Sequence, residues 1–119
     1  MNHFYMAGRI QQVRVHGGKR SVAEGGKPPS AIILLQYGVA REGGNGPVEF
    51  LNAALIRIPA FRYDKIADKL VEGALVSVAG HIQGIMKQAM GEGYITSELV
   101  ADNVRFEDMS FLLETEVDA

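Results

Sequence analysis

The chain has no cysteine. That excludes disulfides, thiolate metal sites and cysteine nucleophiles, and a reducing, cytoplasmic setting is expected. Tryptophan is also absent, and the other large rings are scarce, with five phenylalanines and four tyrosines. Long hydrophobic runs are missing. The longest apolar stretch, Ala31 to Leu35, is far short of the roughly 20 residues that a bilayer helix needs. Met1 to Ile10 lacks the basic segment and long apolar run of a signal peptide, so no membrane partner is expected. An excess of positive charge is lacking too: 12 basic residues stand against 14 acidic ones, a net charge of −2.

Catalytic and metal-binding patterns are equally thin. His3, His16 and His81 are far apart and have no ligand spacing, so no metal site is expected. Asp64 and Asp68 share a helix face, but Lys65 and Lys69 beside them make it a solvated one. No Ser-His-Asp order stands out. Gly43-Gly44-Asn45-Gly46 lacks the Lys-Ser/Thr of a phosphate-binding loop. The expectation is a protein that is not an enzyme and carries no cofactor.

What is present is one domain's worth of chain. The 119 residues are 47% apolar, enough for a real core. Charge is unevenly spread. Up to Arg41 the bases Arg9, Arg14, Lys19, Arg20, Lys27 and Arg41 face the single acid Glu24. From Glu92 onward, eight acids face only Arg105. This split suggests a polyanion site at the front and an acidic tail at the back.

Periodicity organises the rest. Met1 to His16 alternates, with Phe4, Met6, Gly8 and Ile10 on one face and Tyr5, Ala7, Arg9 and Gln11 on the other, which predicts a strand. Glycines and prolines from Gly17 to Ser30 predict a loop. Ala31 to Arg41 reads as a second strand, Glu42 to Pro47 as a turn, and Val48 to Ile58 as a third strand. Pro59 can then open a helix. Tyr63, Ile66, Ala67, Leu70 and Val71 repeat at helical spacing, predicting a helix over Ala60 to Glu72 that Gly73 ends with a left-handed cap. Ala74 to Met86 is a fourth strand, with Val76, Val78 and Ile82 on one face and Ser77, His81 and Gln83 on the other. Lys87 to Gly93 reads as a flexible tip, and Tyr94 to Phe106 as a fifth strand. Three strands, one helix and two strands, with no parallel repeat, predict a five-stranded antiparallel barrel whose helix sits between strands three and four. That is the OB arrangement.

Several stretches resemble the bacterial single-stranded DNA-binding protein family. They are Asn2 followed by Gly8-Arg9-Ile10, Val48-Glu49-Phe50, the run Lys65 to Leu70 with Gly73, then Val76, Val78, Gly80 and Ile82, and finally Tyr94-Ile95-Thr96. They fall in the family's order over Asn2 to Phe106. The resemblance implies an OB barrel that holds single-stranded DNA without chemistry, in replication, recombination or repair. It also places a base-stacking ring at Phe50. Departures are visible as well. The family stacks bases on several aromatics, commonly tryptophan; here Ile56 occupies a position where the family often has another aromatic, and the tip Lys87 to Gly93 has none. The family's tail commonly closes on Ile-Pro-Phe, whereas this chain ends Glu116-Val117-Asp118-Ala119. Weaker stacking follows from these differences.

Candidate nucleic-acid contacts are therefore Arg9, Arg14, Lys19, Arg20, Lys27 and Lys87 for phosphates, with Phe50, Asn52, Ile56 and Tyr94 for bases. Lys19 and Arg20 stand out because a Gly-rich loop can fold over a strand. Phe50, Asn52, Ala54 and Ile56 share one face of the third strand, and polar Asn52 marks that face as outward; Leu51, Ala53 and Leu55 then read as barrel interior. Gly80 is read as permitting a sharp bend, and Leu70 with Val71 as plugging the barrel mouth. Apolar residues on both faces of the first two strands, such as Tyr5, Ala7, Ile33 and Leu35, predict a homo-oligomer, and the resemblance implies a tetramer ahead of a dimer. Residues 1 to 106 read as the OB domain and 107 to 119 as a short acidic and apolar tail. The tail has two readings, a docking peptide for replication or recombination proteins, or a packed Phe111-Leu112-Leu113 followed by a loose acidic end. Two other functions stay open: a module like primosomal replication protein N that mainly docks partners, and an OB assembly subunit that does not bind DNA.

Overall fold

The computed structural model describes residues 1–39, 41–42, 49–50, 52–89 and 91–106. Strand β1 (Phe4–His16) buries Ile10 and packs Phe4 and Met6 against the core, while Tyr5, Arg9 and Gln11 are exposed, as the alternation predicts. A bulge at Gln11 shifts its register against β2 (Ser30–Gln36), from Ile10 opposite Leu35 to Gln12 opposite Leu34. Ala31, Ile33 and Leu35 of β2 are fully buried, and Ile32 and Leu34 are half-buried on the opposite face. The chain then forms a small two-stranded ladder, β3 (Arg41–Glu42) with β4 (Glu49–Phe50), before β5 (Ala53–Ile58). Helix α1 (Ala60–Ile66) follows, and β6 (Leu75–Ala89) and β7 (Glu92–Phe106) complete the order.

Five strands close into a barrel in the order β1-β2-β5-β7-β6, with the helix between the third and fourth barrel strands, as expected. The closing pair, β5 with β7, is parallel, and the other neighbours are antiparallel. The physical reason is parity: up and down cannot alternate around a ring with an odd number of strands, so one pair must run parallel. The core gathers Ile10, Ile33, Leu35, Ile56, Ile58, Val76 and Val78, each essentially without exposure. Burying such a side chain is worth roughly 1.5–3 kcal/mol.

Where sequence boundaries and observed boundaries differ, a specific contact explains the difference. The second and third strands stop short of Arg41 and Val48 because the chain bends at Tyr37 to Val39. There the Tyr37 N–H donates to the Asn52 carbonyl at 2.8 Å, and the Asn52 side-chain amide donates to the Val39 carbonyl. The helix ends at Ile66 rather than Glu72. Both Lys69 and Leu70 N–H groups donate to the Ile66 carbonyl at 3.0 Å, a tightening that drops Leu70 into the barrel mouth at 4% exposure. Leu70 is thus the plug, while Val71, expected beside it, is 53% exposed. Gly73 does not cap the helix as expected, since the C-cap is Ala67 in the right-handed region; it has the left-handed φ of 89° and donates its N–H to the Ile10 carbonyl at 2.8 Å, which ties the chain entering β6 to β1. The tip expected over Lys87 to Gly93 is mostly ladder, since pairing continues to Ala89 opposite Glu92. Gly80, read as permitting a bend, serves a close approach: a Cβ there would overlap the Val100 carbonyl oxygen and the Phe4 ring, so only a bare backbone lets β6, β7 and Phe4 meet. The expected turn Glu42 to Pro47 is described only at Glu42; Leu51 and the tail Glu107 to Ala119 lie outside the described residues.

Candidate nucleic-acid interface

In a paired ladder, residues opposite one another point to the same side. The β5 side chains facing in are Ile56 and Ile58, and those facing out are Leu55, 64% exposed, and Arg57. The expected facing of the third strand is therefore inverted, and Ile56 is a core residue, not a nucleic-acid contact. Two features misled the alternation. Ala53 to Ile58 is apolar on both faces apart from Arg57, so its period carries a single mark; and Asn52, taken as the outward marker, lies ahead of β5 and spends its amide on the Val39 carbonyl. Phe50 pairs its backbone with Arg41 in the small ladder, and its side chain lies outside the described part of the structure.

Following the register outward from β5 defines one continuous surface. Ile32 sits opposite Arg57, and Leu34 opposite Leu55. Beyond them on β1, Arg14 sits opposite Ile32 and Gln12 opposite Leu34. On the other side Arg57 pairs with Val100 of β7. The surface continues along the β6–β7 hairpin, where Gln83 faces Glu98, Ile85 faces Thr96 and Lys87 faces Tyr94. Arg57 Nε donates to Glu98 Oε1 at 2.9 Å across β5 and β7. His81, opposite Val100, lies with Nδ1 3.0 Å from an Asp102 carboxylate oxygen. The centre of the surface thus sets apolar Ile32, Leu34 and Leu55 beside the Arg57–Glu98 and His81–Asp102 pairs, with further cations towards its ends.

The loop between β1 and β2 stands at one end. The Gly18 N–H donates to the Lys27 carbonyl at 2.9 Å, closing the neck, and a 3₁₀ turn at Val22–Glu24 rounds the tip. Lys19, Arg20 and Lys27 are all exposed in this loop, with Glu24 the acid among them. Lys87 and Tyr94, as cross-strand partners, mark the far end on the hairpin, where Tyr94 is 49% exposed. Arg14 lies between. Of the sequence-read cations, Arg9 stands apart: it sits on the β1–β6 side, where its guanidinium donates to the Gly73 carbonyl at 3.1 Å. Sequence reasoning missed Leu55, Arg57 and Glu98. A usable signal was present, since Arg57 is the lone charge in an otherwise apolar run and fixes which parity faces water.

An outward β2–β5 surface flanked by the β1–β2 loop and the last hairpin is where OB barrels take oligonucleotides. No protein-family model matches the chain, and no curated protein matches it in sequence. Solved structures do match. The SSB of Plasmodium falciparum in complex with ssDNA superposes with a TM-score of 0.59 at 17% identity, covering 91% of this chain and 96% of that one. A small single-stranded DNA-binding protein from Streptomyces coelicolor gives 0.55 at 12%, over 92% and 99%. The mitochondrial single-stranded DNA-binding protein of S. cerevisiae gives 0.53 at 16%, over 87% and 92%. The chain has the OB fold of these proteins.

Proposed function

We propose that this chain binds single-stranded DNA without doing chemistry on it, across the outward face of β2 and β5. The observation that carries the reading is the make-up of that face. Exposed Leu55 and half-buried Ile32 and Leu34 form an apolar floor, with Arg14 beside it, three loop cations at one end, and Lys87 with Tyr94 at the other. An apolar floor accepts base faces, and the cations neutralise phosphates with release of counterions, so binding is sequence-tolerant and strongly salt-dependent. The fold it shares with single-stranded DNA-binding proteins supports the reading. Work in replication, recombination or repair, in the cytoplasm, follows from it.

We further propose that the barrels associate, as a tetramer ahead of a dimer. Ile33 and Leu35 are spent on the core, but Tyr5 on the outside of β1 is 69% exposed, and Ile82, Met86 and Ile95 stand 46%, 66% and 72% exposed on the hairpin. Apolar surface of this extent calls for cover.

A second reading, a partner-docking or assembly module without DNA binding, is favoured by one observation: no described residue on the outward faces of β2 and β5 is aromatic, and the net charge is −2. Titration of labelled oligo-dT at two salt concentrations separates the two. Binding that weakens steeply with salt supports the first; no binding at low salt ends it.

A further inference from the structure

The binding face lacks a ring on β2 and β5, yet β5 brings a planar group to it. We infer that Arg57, held by Glu98, is a base-stacking platform of this face and not a phosphate contact. The inference rests on the single-stranded DNA reading above.

Charge is the first argument. The Nε–H of Arg57 is 2.9 Å from Glu98 Oε1, and the two side chains are 38% and 27% exposed. A carboxylate at that distance offsets the guanidinium charge at the spot where a phosphate would have to approach, and it repels the phosphate as well. A cation meant for phosphate is better left without an acid, as Lys19, Arg20 and Lys27 largely are in their loop.

Shape is the second. A guanidinium is a rigid plane, weakly hydrated, and it stacks on flat π systems, nucleobases included. Anchoring one edge through Nε limits how the plane can swing, so less freedom is lost when a base lies on it. The surroundings suit a base rather than a phosphate: Leu55 lies two residues away on the same face, Ile32 directly opposite, and Val100 on the other side at 3% exposure. Further along β7 the same face carries Tyr94, about 13 Å from Glu98 at the rise of an extended strand. Tyr94 and Arg57 thus form two flat groups on one track, with the loop cations beyond.

The test uses the full chain, labelled oligo-dT and a salt series, with melting curves for each variant. Arg57→Lys keeps the charge and loses the plane; it should weaken binding about 5-fold or more and leave the salt slope unchanged. Arg57→Tyr keeps a plane and loses the charge; it should bind within about 2-fold of the parent, again with the slope unchanged. Glu98→Gln, an exchange at a partly exposed site, keeps an acceptor for the Arg57 edge and should leave the slope unchanged, because Arg57 meets a base and not a phosphate. The inference is overturned if Arg57→Lys binds like the parent while Arg57→Tyr weakens binding and flattens the slope by about one unit, which is the behaviour of a phosphate contact. It is overturned equally if Glu98→Gln steepens the slope by about one unit, which would put the released Arg57 charge on a phosphate. Should the parent itself fail to bind oligo-dT, the functional reading is what fails, a result distinct from either of these.

Discussion

The two faces of β5 are six residues of one strand put to opposite uses. Inward, Ile56 and Ile58 have no exposure and lock into the core with Ile33 and Leu35. Outward, Leu55 is 64% exposed and Arg57 bonds to Glu98 near the middle of the candidate binding surface. Hydrophobicity alone does not tell the faces apart, because isoleucine and leucine are interchangeable to a hydrophobic scale. What separates them is which side the rest of the barrel closes on. A buried residue acts through packing, and an exposed one acts through whatever arrives from solution.

The largest expected effect breaks the comparison from the inside. Ile56→Ala leaves a cavity in a closed barrel and should cost about 2–5 kcal/mol of stability in urea or thermal unfolding, with little change in the DNA affinity of the folded protein. Its outward neighbour gives the opposite signature. Leu55→Ala should change stability by no more than about 0.5 kcal/mol while lowering affinity for oligo-dT. Should Leu55→Ala destabilise as much as Ile56→Ala, the outward face is covered in solution, and an interface between barrels becomes its use.

Gly80 sharpens the same contrast at the seam where β6 and β7 leave the barrel. Before it, Val76 and Val78 are buried; after it, Ile82 and Met86 on the same face are exposed, because the hairpin has run past the barrel's edge. Gly80→Ala must displace both the Val100 carbonyl and the Phe4 ring, and the expected loss is about 1–3 kcal/mol in unfolding experiments. A neutral outcome would mean that the seam can open without cost.

Much of this was legible in the sequence, for reasons that vary along the chain. The inward face of β1 was readable because exposed Arg9 and Gln11 alternate with Met6 and Ile10. The strand–helix–strand order was readable because Pro59 and Gly73 punctuate it. The facing of β5 was misread, since its faces are apolar apart from Arg57, and the polar residue used to orient it, Asn52, is engaged in a backbone contact. The helix end was missed because the helical period continues to Val71 while the backbone has already tightened around the Ile66 carbonyl. The Arg57–Glu98 pair joins residues 41 positions apart, and only the parallel pairing of β5 with β7 brings them together. A local pattern carries no such information.

The smallest expected effect lies farthest from the core, in the loop between β1 and β2. Replacing Lys19 and Arg20 together with alanine should leave stability unchanged within about 0.5 kcal/mol, because both side chains are exposed and the loop is closed by backbone hydrogen bonds such as Gly18 N–H to the Lys27 carbonyl. If each meets a phosphate, two fewer counterions are released on binding, and the plot of log affinity against log salt should flatten by about two units. The measurement is the slope, not the affinity at one salt concentration, since any loss of charge weakens binding somewhat at low salt. An unchanged slope would show that the loop does not touch the strand, and the path of the DNA would then have to run from β5 along the hairpin towards Lys87 and Tyr94. A slope that flattens by only about one unit would assign the contact to one of the two side chains, which the single replacements then distinguish.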